Sequence, residues 1–258
     1  MLKRLIDSGK VIAGRSLVCF ANTGLEEPET LKFVDDCSRH WGVPIVWLEY
    51  RSRANFQLVN FETASRDGRP FEDLIKDKKF LPNPVMRFCT AELKIRTIDR
   101  YLRSRNDVLA DFDMCIGIRA DEQRRVAKMR PDGKKDGTLG ERVLPLAVDS
   151  LTVQDVSNFW KTQPFQLQLA SDGKRTLAGN CSLCFMKPLS QIVSLIAEKP
   201  ERAVPMIRYE SFGNSSGSAA FFRNDRPAYA TLAKIAIEQP DMFGFEEATL
   251  SCFCGDDA

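Results

Sequence analysis

The chain has 258 residues, enough for one large α/β domain or one domain with appendages. Its apolar fraction of 43% and charged fraction of 28% are ordinary for a globular protein, and no apolar run approaches the roughly 18 residues that span a bilayer. The 37 basic residues against 35 acidic ones leave a formal net charge of +2, so no global field draws the chain to nucleic acid or to a membrane.

The opening MLKRLIDSGK lacks the apolar core and cleavage site of a signal peptide. Residues 2–8 read as an amphipathic helix with Leu2, Leu5 and Ile6 on one face. Ser16 to Phe20 (SLVCF) is a short buried strand, and the stretch FANTGLEEPETLKF then carries a polar turn into a helix. That helix runs from Pro28 to His40. Proline suits a first helical turn, and Glu26, Glu27 and Glu29 suit the positive end of the macrodipole. Val43 to Tyr50 (VPIVWLEY) is the next strand, and this βαβ spacing predicts parallel strands joined by a crossover helix.

Residues 51–85 are punctuated by proline and read as an insertion or a long active-site loop. Ala91 to Leu102 is helical, and Phe112 to Ile118 (FDMCIGI) is another strand. RADEQRRVAKMRPDGKKDG follows as a charged, turn-rich segment. Thr152, with Asp155 three residues on, caps a helix from Val153 to about Trp160. GNCSLCF at 179–185 precedes a helix from Leu189 to Ala197. Residues 211–225 read as a Gly/Ser/Asn-rich loop and Ala228 to Glu238 as a helix, before the tail LSCFCGDDA.

Two turns have the composition of an anion site. Asn22-Thr23-Gly24 lies at a strand's carboxyl end, directly before a helix, where ligands of open parallel sheets bind. Gly117 and Arg119 of GIRADEQRR follow a second strand; Arg119 offers a forked donor, with Arg124 and Arg125 adding charge. An ordinary βα turn and a solvated basic segment are the alternatives. Together the two turns point to an anionic, nucleotide-like ligand.

Eight cysteines without a secretory signal point to a reducing, cytoplasmic compartment, where thiols stay free or hold metal. Cys181-x-x-Cys184 has metal-ligand spacing, with a redox pair or two core thiols as alternatives. Cys89 is the best third ligand, and Cys252 or Cys254 of the terminal CFC the fourth. Four sulfurs suit zinc or an iron–sulfur cluster alike. Cys19, Cys37 and Cys115 read as core residues. The single histidine, His40, excludes sites with several histidines and reads as a helix-end residue.

FANTGLEEPETLKF, RFCTAELK, GIRADEQRR, PLAVDSLTVQDVSNFW and GNCSLCFMK occur in the order of the phosphoadenosine phosphosulfate (PAPS) reductase family, and over roughly residues 1–190 the chain resembles that family of the PP-loop superfamily. The resemblance implies an α/β fold with a Rossmann-like parallel sheet flanked by helices. It divides the chain into an α/β domain at 1–178 and a Cys-bearing helical region at 179–258 packed on it. Asn22, Thr23, Gly24, Gly117, Arg119 and Arg124 would face an adenine nucleotide, PAPS or ATP. Cys89, Cys181 and Cys184 fall near the positions that hold a [4Fe–4S] cluster in one branch, which has a Cys-Cys pair where this chain has Phe88-Cys89; the fourth ligand stays open, as a three-cysteine site or one completed by Cys254, with zinc as the alternative.

The family's phosphate loop, SGG[KR][DT]S, has no counterpart here, because Met1 already lies in what reads as the first helix; the expectation is a start placed too late. The tail SCFCGDD keeps a cysteine and a glycine but not the family's glutamate and histidine. The expected function is PAPS reductase-like, with Cys254 as the attacking thiol and a thioredoxin-like reductant as partner. The alternatives are an ATP-dependent sulfurtransferase acting on tRNA or DNA, with Arg124 to Lys135 touching the nucleic acid, and a truncated nucleotide-binding member without activity. The oligomeric state stays open, a homodimer included.

Overall fold

The computed structural model describes residues 1–105, 112–129, 140–171, 176–216 and 221–238, with side chains of the fourth stretch described as far as residue 212. It opens with α1 (Leu2–Asp7), none of whose residues is buried. β1 (Val18–Asn22), α2 (Pro28–Trp41) and β2 (Ile45–Arg51) then form a βαβ unit. The two strands are parallel, with Val18 opposite Ile45 and Asn22 opposite Glu49. α2 begins on Pro28 and stops at Gly42, which takes the left-handed conformation at φ 63°.

β3 (Asn55–Val59) returns antiparallel to β2, with Arg51 opposite Asn55. Only residues 52–54 separate the two strands, which leaves a hairpin as the available connection. α3 (Arg69–Lys78) follows. A helical segment then runs through α4 (Phe88–Thr90), a π-helical stretch (Ala91–Arg96) and α5 (Thr97–Ser104).

The three-stranded sheet is covered on both faces. Successive residues of a strand point to opposite sides. Phe20 and Trp47 meet Leu31 and Val34 of α2. Cys19, Val46 and Leu48 meet Ile98, Tyr101 and Leu102 of α5. β1 and β3 are the edge strands of this sheet among the described residues.

A second, two-stranded parallel sheet pairs β4 (Asp113–Cys115) with β5 (Glu141–Val143), connected through α6 (Gln123–Met129). α7 (Pro145–Val148) and α8 (Val153–Lys161) follow. The helices α9 (Leu189–Glu198), α10 (Ala203–Ser216) and α11 (Tyr229–Glu238) complete the described chain. One apolar cluster joins Tyr50, Phe71 and Leu74 to Leu183, Ile192, Tyr209 and Leu232, so the 179–238 region shares a core with the α/β part.

The fold is therefore α/β, but it differs from the expected parallel sheet. The described strands form a mixed sheet in the order β1-β2-β3 and a separate parallel pair. Residues 51–85 hold β3 and α3 rather than one long loop, because Phe71, Leu74 and Ile75 bury α3 in the main core. The strand expected over Phe112 to Ile118 is confined to Asp113–Cys115. The charged segment after it contains α6, anchored by buried Met129. Helix replaces the expected loop as far as Ser216, since Met206 and Tyr209 bury one side of α10. The capping box at Thr152 forms as expected, with its side chain and that of Asp155 bonding each other's backbone N–H.

Candidate functional site

Asn22 closes β1 and is fully buried. Its Nδ2 donates to Glu49 Oε1 at 2.6 Å and to the Ser65 carbonyl at 2.9 Å. Glu49, opposite it on β2, is also fully buried. It accepts in addition from the Ser65 N–H at 2.6 Å, the Ser65 hydroxyl at 2.8 Å and Arg51 Nη2 at 2.7 Å. A buried carboxylate requires such donors. The network ties the loop before α3 to the carboxyl ends of both parallel strands.

Thr23 also turns inward. Its N–H and hydroxyl donate to Glu26 Oε2 at 2.9 and 2.8 Å, and its Oγ1 lies 3.3 Å from Cys181 Sγ. Gly24 takes φ 78°, and a Cβ there would stand 2.9 Å from Pro70 Cδ and 3.1 Å from Gly68 Cα. Gly68 donates its N–H to the Gly24 carbonyl at 2.9 Å, and the Tyr209 hydroxyl donates to the Gly68 carbonyl at 2.7 Å. Glycine at 24 thus serves close backbone packing.

The Cys181–Cys184 loop is docked on this turn. Glu26 and Cys181 form a β-bridge, and Ser182 donates both its N–H and its hydroxyl to the Leu25 carbonyl. Asn180 adopts φ 57°, the left-handed conformation that Asn tolerates. Lys187 Nζ donates to the carbonyls of Leu177 and Gly179, and the Tyr229 hydroxyl to that of Leu183. Tyr229 of α11, distant in sequence, thus helps to fix the loop.

A cleft of about 150 Å³ opens beside the amino end of α2. Gly24, Leu25, Glu26, Arg66, Lys199 and Arg202 are among the residues that line it. Glu26 is 6% exposed, and its Oε1 has no hydrogen-bond partner among the described residues. Arg202 holds Glu27 at 2.8 Å. Burial pushes the Glu27 carboxyl up, but the bonds and charge of Arg202 outweigh it and hold the group below its ordinary value. The lining thus mixes cations, one unsatisfied carboxylate oxygen and the positive end of a helix.

Asn22, Thr23, Gly24, Cys181 and Cys184 come together, as Thr23 and Cys181 show directly. Gly117, Arg119 and Arg124 lie on the segment after β4. Gly117 is exposed and faces Met1, and Arg124 is exposed on α6. Arg119 Nε donates to Asp121 Oδ1 at 2.9 Å, and its backbone N–H donates to Glu122 at 3.0 Å. No hydrogen bond or ion pair among the described residues links these three to the Asn22–Gly24 turn.

Cys89 packs on the same core as Cys184, yet among the described residues no three Cys, His, Asp or Glu side chains group as metal ligands. Cys252, Cys254 and residues 130–135 of the basic stretch lie outside the described residues. Burial pushes the Cys19 thiol up to about 11 and that of Cys37 to about 12, as expected of packing residues. His40 ends α2 exposed, its ring stacked on Phe165 at 4.5 Å.

Glu26, Glu49, Ser65, Arg66, Lys199 and Arg202 were not singled out as site residues from sequence. Glu26 was visible only as a helix-start acid. The contact between Arg202 and Glu27 spans 175 positions, and no local pattern signals it.

No family model matches the chain, and no solved structure matches it. A stretch of 182 residues is 29% identical to a protein of Escherichia phage lambda named uncharacterized nin region protein ORF290. The match takes in 67% of this chain and spans 57% of the relative's length.

Proposed function

We propose that the chain is a PAPS reductase-like enzyme that binds an adenine nucleotide at the carboxyl end of β1 and carries out thiol chemistry on its sulfur. The observation that carries this reading is the contact of Thr23 Oγ1 with Cys181 Sγ at 3.3 Å. It joins a strand-end turn to a dithiol motif 158 positions away, in one site. The cleft supplies the complementary groups. Lys199, Arg66 and the amino end of α2 suit phosphate, and Glu26 Oε1 suits a ribose hydroxyl or an amino donor.

The finer fold belongs to the same proposal: the two parallel pairs, β1–β2 and β4–β5, are parts of a Rossmann-like arrangement. In the chemistry that the resemblance implies, a cysteine thiolate attacks the sulfuryl sulfur and the bond from that sulfur to the nucleotide oxygen breaks. A thioredoxin-like dithiol then releases sulfite from the S-sulfocysteine and is itself oxidised. A [4Fe–4S] cluster or a zinc ion needs four ligands, and the Cys181–Cys184 pair provides two. The described residues do not fit either group.

The test is calorimetric binding of PAPS and of ATP to anaerobically purified protein, alongside Lys199→Gln. PAPS binding that weakens in the variant supports the reductase reading. Preference for ATP moves it to ATP-dependent sulfur transfer. Binding of neither overturns the nucleotide assignment.

A further inference from the structure

Glu92 sits in the π-helical stretch and is 4% exposed, and three cations converge on it. Lys78 Nζ, from the last turn of α3, donates to Oε1 at 2.8 Å. Arg96 Nη1 donates to the same oxygen at 2.7 Å, and Arg100 Nη2 donates to Oε2 at 3.0 Å. Among the described residues Glu92 is the only carboxylate that pairs with any of the three. One negative charge therefore answers three positive ones. Arg100 Nη1 is buried and has no acceptor among the described residues.

The cations are not sealed in. The side chains of Lys78, Arg96 and Arg100 are 35%, 52% and 31% exposed, so an incoming group can reach each of them. The helix geometry sets this arrangement: the Thr97 hydroxyl donates to the Glu92 carbonyl five residues back at 2.7 Å, which fits the π register. π-Helical turns recur at functional sites. The hub also lies near the carboxyl end of β2. Tyr50, on that strand, donates its hydroxyl to Asp77 at 2.5 Å, and the charges of Glu92 and Arg100 reach its phenol. Asp77 is further occupied by the Ser52 hydroxyl at 2.6 Å.

From this surplus of forked and point-charge donors we propose that Lys78, Arg96 and Arg100 form a second anion site, for a phosphate group. Arg100 has Nη2 on Glu92, and the exposed part of its side chain adds positive charge beside Lys78 and Arg96 for a phosphate oxygen. Lys78 and Arg96 neutralise the incoming charge, while Glu92 fixes the three side chains before the ligand arrives. The site does not rest on the nucleotide reading, because it shares no residue with the cleft at α2.

The full chain is titrated at low salt with inorganic pyrophosphate and, separately, with a single-stranded oligonucleotide. The first probe represents a free phosphate and the second a phosphodiester. We expect saturable binding of at least one probe, weakened about tenfold in Arg100→Gln and in Lys78→Gln. Arg39→Gln, an exposed cation paired with Asp35 on α2, leaves it unchanged. Circular dichroism establishes that each variant is folded, and Lys78→Gln carries the test if Arg100→Gln is not. Binding of neither probe, or binding that a folded Lys78→Gln leaves unchanged, overturns the proposal. Pyrophosphate binding by a protein that binds no nucleotide would retain this site and reject the cleft assignment.

Discussion

Glu210 gives the fold a pH dependence with a definite sign. It lies on α10, 5% exposed, and accepts the Tyr229 N–H at the start of α11 at 2.8 Å. Arg223 and Arg226 line the same small cavity. Burial pushes the carboxyl up from 4.5 to about 7, against the lowering effect of N–H bonds from Tyr229 and Phe222. A raised carboxyl is a cost only when it is ionised. Below pH 4.5 it is protonated in the folded and the unfolded chain, and there is no penalty. Between 4.5 and about 7 the unfolded chain releases the proton first, so stability falls as pH rises. Above about 7 the whole penalty stands, about 3 kcal/mol at about 1.4 kcal/mol per pH unit.

Glu210→Gln keeps a carbonyl oxygen for the Tyr229 N–H and removes the charge. Urea unfolding should find the variant more stable than the parent at pH 8, by about 1–3 kcal/mol, with the gain gone at pH 4.5. A stability difference that is the same at both pH values would refute the reasoning.

Glu49→Gln should be the opposite case: a neutral amide cannot satisfy Asn22, Arg51 and two donors of Ser65, and breaking a buried charge pair costs about 3–5 kcal/mol. A urea midpoint close to that of the parent would contradict this. Gly24→Ala should lose about 1–3 kcal/mol, because φ 78° is strained for alanine and its Cβ meets Pro70 and Gly68. An alanine variant with the parent's melting temperature would remove the packing explanation for this glycine.

What sequence shows and what it does not follow from the range of the interactions. α2 was legible because Pro28, the acids around it and Gly42 act locally. The capping box at Thr152 was legible for the same reason. β3 was missed: Asn55–Val59 is an edge hairpin strand with exposed positions, and it lacks an apolar run. α10 was missed: Gly and Ser in its last turn read as loop, and Met206 and Tyr209 are buried through contacts that no local pattern reports. In the site, the polar character of Asn22-Thr23-Gly24 was visible but its direction was not. Asn22 and Thr23 face inward because Glu49 and Glu26 present acceptors to them, and Glu49 looks like one more residue of an apolar strand. The docking of Cys181 on Thr23 had no sequence signal at all.

The central claim is that the strand-end turn and the Cys181–Cys184 loop form one nucleotide site. Its most direct test is the rate of Cys181 alkylation, mapped by mass spectrometry, with and without PAPS or ATP. We expect a bound nucleotide to slow alkylation of Cys181 several-fold while leaving that of Cys115 unchanged. Nucleotide that binds saturably while Cys181 reacts at its original rate would contradict the account.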